Sequence, residues 1–302
     1  MKTYTRFHAG EVQVQAANGI STDAYEEVSI PMMVPDLKPN EAAFVEELTF
    51  SYAGSVDAAG RPWASPLLTT GEQLFTVNTP TKVRVAAALA EGDPLRSNIE
   101  ATGQLSIKYL EPKTRRRSKS IGTATIDDLG AIDYEMTRNF GLCPKYIYKR
   151  LHEPGKSADA TILPEQRDAL NAADIAQIQA SDTVFFASFS PHGADVTHRG
   201  GPAGFVLAHS PTKLEIPDYF GNGMFNTFGN LVLDDRMAFS TTDFVTGRTV
   251  HITGRASVEQ TGLAEPAPQR RVHFDVDEVI VSHAAIGQWT DVEPSRYNPL
   301  PG

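Results

Sequence analysis

The residues best suited to chemistry lie in two stretches of the second half of the chain. Asp195 to Phe205 reads DVTHRGGPAGF, and Pro217 to Leu231 reads PDYFGNGMFNTFGNL. In the second stretch Gly221, Gly223 and Gly229 stand among Asn222, Asn226, Thr227 and Asn230. Glycine lets a backbone approach a ligand closely, while Asn and Thr offer uncharged hydrogen bonds, so such a loop can surround a polar group. It reads equally as a tight connection whose Asn residues occupy left-handed turns. His198-Arg199-Gly200-Gly201 adds a guanidinium, whose fork of donors suits a phosphate. Taken alone, Arg199 is also a surface residue or carboxylate partner, and His198 a polar surface residue.

A second concentration of charge lies earlier. Lys113, Arg115, Arg116, Arg117 and Lys119 fall within seven residues of a chain whose formal net charge is −10. They form either an exposed hairpin tip, where like charges repel into solvent, or a set from which one or two Arg side chains face an anionic ligand. The acidic balance argues against nonspecific nucleic-acid binding, and the run is too short to make a nucleic-acid surface. Cys143 is the only cysteine, which excludes an intramolecular disulfide, a CxxC pair and a thiolate cluster. With no identifiable base beside it, Cys143 reads as a buried small side chain rather than a nucleophile. GxSxG, GxxxxGK, HExxH and GxGxxG patterns do not occur, and the eight histidines are scattered. The N-terminal MKTYTRFHAG lacks the apolar core of a signal peptide, and no stretch approaches the ~18 apolar residues of a membrane span. A cytoplasmic protein without membrane or nucleic-acid partners is expected.

The elements that carry these residues repeat. Gly103 to Ala124, GQLSIKYLEPKTRRRSKSIGTA, aligns without a gap on Asp235 to Ala256, DRMAFSTTDFVTGRTVHITGRA, at an offset of 132. Thr81-Lys82-Val83 matches Thr212-Lys213-Leu214 at 131, and Gly60 matches Gly193 at 133. Apolar runs at Phe50–Val56 and Val184–Phe189 end in turns at Asp57–Gly60 and Ser190–Gly193, as strands do. Leu105 to Tyr109 and Val250 to Thr253 alternate apolar with polar, which predicts half-buried strands. Short, closely spaced strands favour barrels. Pro164 can start one helix, whose apolar face (Leu170, Ala173, Ile175, Ile178) runs through about Ala180. The expected plan is an extended lead-in over residues 1–40, marked by Pro31, Pro35 and Pro39, a first domain over 41–150, a linker and helix over 151–180, and a second domain over 181–302.

These residues together resemble a known family. THRGGPAGFV, LEIPDYFGNGMFNTFGNL and DFVTGRTVHITGRA are similar to the pyridoxamine 5′-phosphate oxidase-like, FMN-binding split-barrel family in its tandem flavin-nucleotide-binding form. FHAGEVQVQ, DAAGRPWASPLL, EGDPL, TRRRSKSIGTA, CPKYIYKR and the ending from Gln288-Trp289 to Asn298-Pro299 extend the resemblance over most of the chain. It implies a mainly β protein of two tandem six-stranded antiparallel Greek-key split barrels, packed as an intrachain pseudo-dimer with a few short helices. FMN would lie between them. By the same resemblance Thr197 and Arg199 face the FMN phosphate, with Asn222, Asn226 and Thr227 on the opposing loop. Ser65 takes the matching place in the first copy, Trp63 meets the ring, and Arg115, Arg116 or Arg117 brings charge from the neighbouring barrel. The family often has Arg or Lys where this chain has Asn226 and Thr227, so the phosphate charge must be balanced elsewhere. Residues specific for pyridoxamine phosphate do not match, and that substrate is not assigned. The implied function is an FMN-dependent oxidoreductase acting on a small molecule or electron donor, with Lys145, Tyr146 and Tyr219 as substrate contacts. The alternatives are a noncatalytic flavin carrier or sensor that needs a separate reductase, and a haem-binding or interaction module. The molecule would be a pseudo-dimeric monomer or a homodimer.

Overall fold

One strand order is used twice. A computed structural model describes residues 7–29, 33–69, 73–155, 164–221, 223–262 and 268–299. In the first half β1 (Phe50–Val56), β2 (Pro62–Leu68), β3 (Phe75–Thr79), β4 (Lys82–Val85), β5 (Gln104–Glu111), β6 (Arg116–Ile126) and β7 (Ile132–Gly141) form an antiparallel sheet in the order β2-β1-β5-β6-β7-β4-β3. After β8 (Lys149–Glu153) and β9 (Glu165–Arg167), the second half supplies β10 (Thr183–Ser190), β11 (Gly193–Gly200), β12 (Leu207–Ser210), β13 (Lys213–Asp218), β14 (Arg236–Thr242), β15 (Arg248–Gln260) and β16 (Arg270–His283). Their order, β11-β10-β14-β15-β16-β13-β12, is the first order element for element, with β9 added against β16. The sheets thus hold seven and eight strands rather than six. A final strand, β17 (Gln288–Glu293), pairs with β8.

The repeat extends to backbone detail. The β6–β7 ladder shifts register between Ile121 and Gly122, and the β15–β16 ladder between Thr253 and Gly254. A Cβ at Gly122 would stand 2.1 Å from the Glu135 carbonyl oxygen, and one at Gly254 2.0 Å from that of Asp275. Only glycine permits that approach, which accounts for the same residue at both bulges.

Each unit has its own core, around Phe75, Ile107 and Tyr134 in the first and Phe186, Phe239 and Phe274 in the second. A third cluster, including Phe50, Tyr52, Leu110, Phe185, Val196 and Ala238, joins them. At its centre Tyr52 and Phe185 stack at 3.7 Å with rings 5° apart. Such a pair contributes roughly 0.5–1.5 kcal/mol beyond the area it buries. This packing corrects the expectation of half-buried strands. Leu105 through Leu110 are all buried, because one face of β5 meets its own core and the other is covered by the second unit.

The lead-in is helical rather than extended. It contains α1 (Ala9–Ala17), α2 (Thr22–Ser29) and α3 (Pro39–Glu46). His8 and Glu11 close a capping box on α1, the Glu11 carboxylate accepting from His8 N–H at 2.9 Å. Pro39 opens α3, where its missing N–H costs nothing, and Pro35 lies between helices; Pro31 falls outside the described residues. After α4 (Leu95–Thr102), the joining helix α5 (Ala172–Ala180) starts from Asn171, whose side chain accepts from Asp174 N–H at 2.9 Å. Pro164 instead leads into β9, and the expected linker begins inside β8. The last helix, α6 (Asn226–Leu233), follows the Gly/Asn-rich loop. Among the described residues no helix is long and apolar enough to cross a membrane.

Candidate functional site

Where β5 and β6 of the first unit face β11 of the second, a pocket opens. It encloses about 690 Å³ between atoms, its solvent mouth included. Lys108 from β5 and Arg117 from β6 form one wall, and Thr197, His198, Arg199 and Gly200 from β11 another. Leu142, Cys143, Lys145 and Tyr146 from the segment after β7, with Pro217 to Gly221 at the end of β13, close the sides.

Two backbone features shape the side wall. Tyr146 has φ +64, in the left-handed region that costs free energy for a non-glycine residue. Its carbonyl oxygen sits so near β11 that a Cβ on Gly200 would lie 1.9 Å away. Gly200 therefore admits the wall segment. Tyr146 Oη donates to the Phe220 carbonyl at 2.8 Å, its ring is 5.5 Å from Tyr219, and the Lys145 ammonium lies 4.9 Å from the Phe220 ring and 5.3 Å from that of Tyr297. Burial pushes the Tyr219 hydroxyl up to about 12. Cys143 is exposed, contrary to the buried side chain expected, and contributes its carbonyl to Arg117.

The electrostatics are one-sided. Arg117 Nε donates to the Cys143 carbonyl at 2.6 Å, and Nη1 lies 3.0 Å from His198 Nδ1. A guanidinium can only donate, so Nδ1 accepts and the imidazole proton resides on Nε2. That Nε2–H is buried without a partner. Burial first, then the nearby Arg117 and Lys108, hold the His198 pKa well below its ordinary value and keep the ring neutral. Burial also pushes Arg117 down to about 10. Lys108 is buried, and among the described residues none accepts a hydrogen bond from, or forms an ion pair with, its ammonium. Desolvation, followed by repulsion from Arg117 and Lys119, outweighs the attraction of Asp195 and lowers its pKa well below the usual lysine range. Arg199 pairs with Asp218 and lies 5.5 Å from the Phe186 ring and 5.0 Å from the Phe228 ring, while its Nε and Nη2 are buried without hydrogen-bond partners. Among the described lining residues the one carboxylate, Asp218, is already engaged, accepting also from Arg270 at 2.8 Å.

Of the residues singled out in the sequence, Thr197, Arg199, Arg117, Lys145, Tyr146 and Tyr219 meet at this pocket. The others lie elsewhere. Arg115 anchors the C-terminal segment through Ile147 O, Glu293 and Pro294 O. Arg116 covers the Phe44 ring at 4.0 Å and donates to Asn40 O. Successive residues of a strand point to opposite faces, so Arg116 and Arg117 necessarily part company. Lys119 is buried against Asp195. Trp63 is buried and donates to Asp57 at 3.1 Å, and Ser65 is fully buried in β2 with its hydroxyl unpaired. Asn226 is tied to Glu11 of α1 and to Lys119, and Thr227 is buried in α6. Asn222 lies outside the described residues. Sequence reasoning missed Lys108 and took His198 for a surface residue. The available signal was a lysine at the centre of the apolar SIKYL strand.

Fold and site together define a two-unit β protein with a cation-lined pocket between its halves. No family model matches the chain, and no curated protein matches it. Among solved structures it is similar to a putative pyridoxamine 5′-phosphate oxidase from Lactobacillus delbrueckii, at 16% identity and TM-score 0.28, over 35% of this chain and 95% of that one. A FAD-binding protein from Mesorhizobium loti matches at 13% identity and TM-score 0.27, over 41% and 100% of the respective chains. HutZ, the haem storage protein of Vibrio cholerae, matches at 18% identity and TM-score 0.25, over 34% and 90%. Similarity at this level leaves the functional argument to the pocket itself.

Proposed function

We propose that the inter-unit pocket binds FMN, its phosphate held by Lys108 and Arg117 with support from Thr197 and Arg199. The observation that carries this reading is the surplus of buried donors without acceptors. His198 Nε2–H and two Arg199 nitrogens are buried without hydrogen-bond partners, and Lys108 Nζ has no acceptor among the described residues, in a lining whose one described carboxylate is already paired. Buried unpaired charge is costly, and an anion offsets that cost. The charge that Asn226 and Thr227 do not supply comes, in this reading, from Lys108 and Arg117. Tyr146 and Tyr219 provide aromatic surface beside the cation site, suited to a flavin ring. When bound, the flavin supplies hydride or electron transfer, and the chain supplies orientation and charge. A haem reading is less apt, because His198 Nε2 carries its proton and Nδ1 is occupied by Arg117.

The test is a pair of titrations with FMN and with riboflavin, which lacks the phosphate. Binding of FMN at least about tenfold tighter supports the reading, one charge-assisted hydrogen bond contributing roughly 1.5–3 kcal/mol. Equal affinities, or no binding of either, contradict it. Turnover of the FMN-loaded protein with NADH or NADPH and an acceptor separates an oxidoreductase from a carrier that depends on a separate reductase.

A further inference from the structure

β5 and β6 meet β11, and their equivalents β14 and β15 meet β2, so the pocket has a counterpart elsewhere on the interface. Strand register identifies it. The offset of 132 along β5/β14 and β6/β15 sets Lys108 against Ser240, Leu110 against Thr242 and Arg117 against Thr249. Pairing within β1–β2 and β10–β11 sets Tyr52 against Phe185 and Leu67 against Arg199.

The two sides have opposite chemistry. On the pocket side stand Lys108, Arg117 and Arg199, and the apolar Phe185 and Leu110 take the places of Tyr52 and Thr242. On the counterpart side Tyr52 Oη lies 2.8 Å from Ser240 Oγ and 3.0 Å from Thr242 Oγ1, which in turn lies 3.0 Å from Thr249 Oγ1. Leu67 replaces the guanidinium and is fully buried in the first core. Every hydroxyl in that chain has a neutral partner of the same kind, and the three cations have no counterpart. A satisfied buried network has nothing left to offer a ligand, whereas an unsatisfied cationic one does.

We propose that the molecule binds one anionic ligand per chain, that Lys108 is the residue distinguishing the binding side from its counterpart, and that the Tyr52–Ser240–Thr242–Thr249 network is a structural plug that takes no ligand. The proposal rests on the anion-site reading above but not on the anion being a flavin.

Calorimetric titration with inorganic pyrophosphate and, separately, with FMN tests it on the intact chain. One site per chain is expected, with affinity reduced about tenfold or more in Lys108→Ser, which copies the counterpart side. Lys108→Met, which keeps the side-chain volume, guards against a folding defect and is expected to lose the same affinity. Two sites per chain overturn the proposal while leaving the flavin reading intact. A single site that both Lys108 variants leave unchanged overturns the proposal and the placing of the phosphate on Lys108, while FMN binding itself stands. Pyrophosphate binding at one Lys108-dependent site without FMN binding supports the proposal and removes the flavin reading. Binding of neither probe overturns both.

Discussion

Three consecutive arginines are given three different tasks by this structure, and substituting each in turn tests the site sharply. Arg117→Met removes the guanidinium that lines the pocket, whereas Arg115→Met and Arg116→Met remove contacts to the C-terminal segment and to Phe44. A charge-assisted hydrogen bond to phosphate contributes about 1.5–3 kcal/mol, so Arg117→Met is expected to weaken FMN binding by roughly 10- to 150-fold. Riboflavin serves as the internal control. Its affinity should change by less than about threefold in Arg117→Met, and the difference between the two ligands isolates the phosphate contact from general disturbance of the pocket. The variant also frees His198 Nδ1 and removes the largest cationic neighbour holding that ring neutral, so the His198 pKa should rise. Nitrogen-detected NMR of the imidazole reads this change directly. Equal losses for FMN and riboflavin, or losses in Arg115→Met or Arg116→Met as large as in Arg117→Met, would refute the assignment.

Other consequences follow from single groups. Because the folded state lowers the Lys108 pKa, the unfolded chain holds that proton more readily. The lysine's contribution to stability therefore rises as pH climbs from its folded pKa towards the ordinary value of about 10.4. Lys108→Met should abolish this slope and stabilise the ligand-free protein at neutral pH, as measured by urea unfolding at several pH values; an unchanged slope counts against a buried unpaired ammonium. Gly200→Ala forces a methyl against the Tyr146 carbonyl and should cost about 1–3 kcal/mol by thermal or denaturant unfolding, with weakened FMN binding. Tyr52→Phe leaves the Ser240 hydroxyl without its tyrosine partner and should cost roughly 1–2 kcal/mol of stability, while the FMN dissociation constant stays within about twofold of wild type.

Much of the architecture was legible because the repeat is written in strands and turns. The offset of 132 pairs β5 with β14 and β6 with β15, and it aligns the bulge glycines Gly122 and Gly254. Thr197, Arg199, Lys145, Tyr146 and Tyr219, read from three separate stretches, meet at one pocket. What stayed hidden depends on packing between the units. Alternation along β5 suggests an outward Lys108, and only the presence of the second unit turns that outward face inward. The five-cation run could not be sorted until the hairpin register sent Arg116 to Phe44, Arg117 to the pocket and Lys119 to Asp195. The prolines of the lead-in pointed to extended chain, but Pro39 opens a helix and α1 is held by a His8–Glu11 box that is not the usual Ser/Thr signature.

In the proposed function the cations between the units hold a flavin phosphate. A crystal structure of the protein grown with FMN tests it most directly. One flavin per chain is expected, with phosphate oxygens within hydrogen-bond distance of Lys108 Nζ and Arg117. Phosphate density at Asn226 and Thr227, at the start of α6, on the Tyr52 side of the interface, or away from the inter-unit pocket altogether would contradict it.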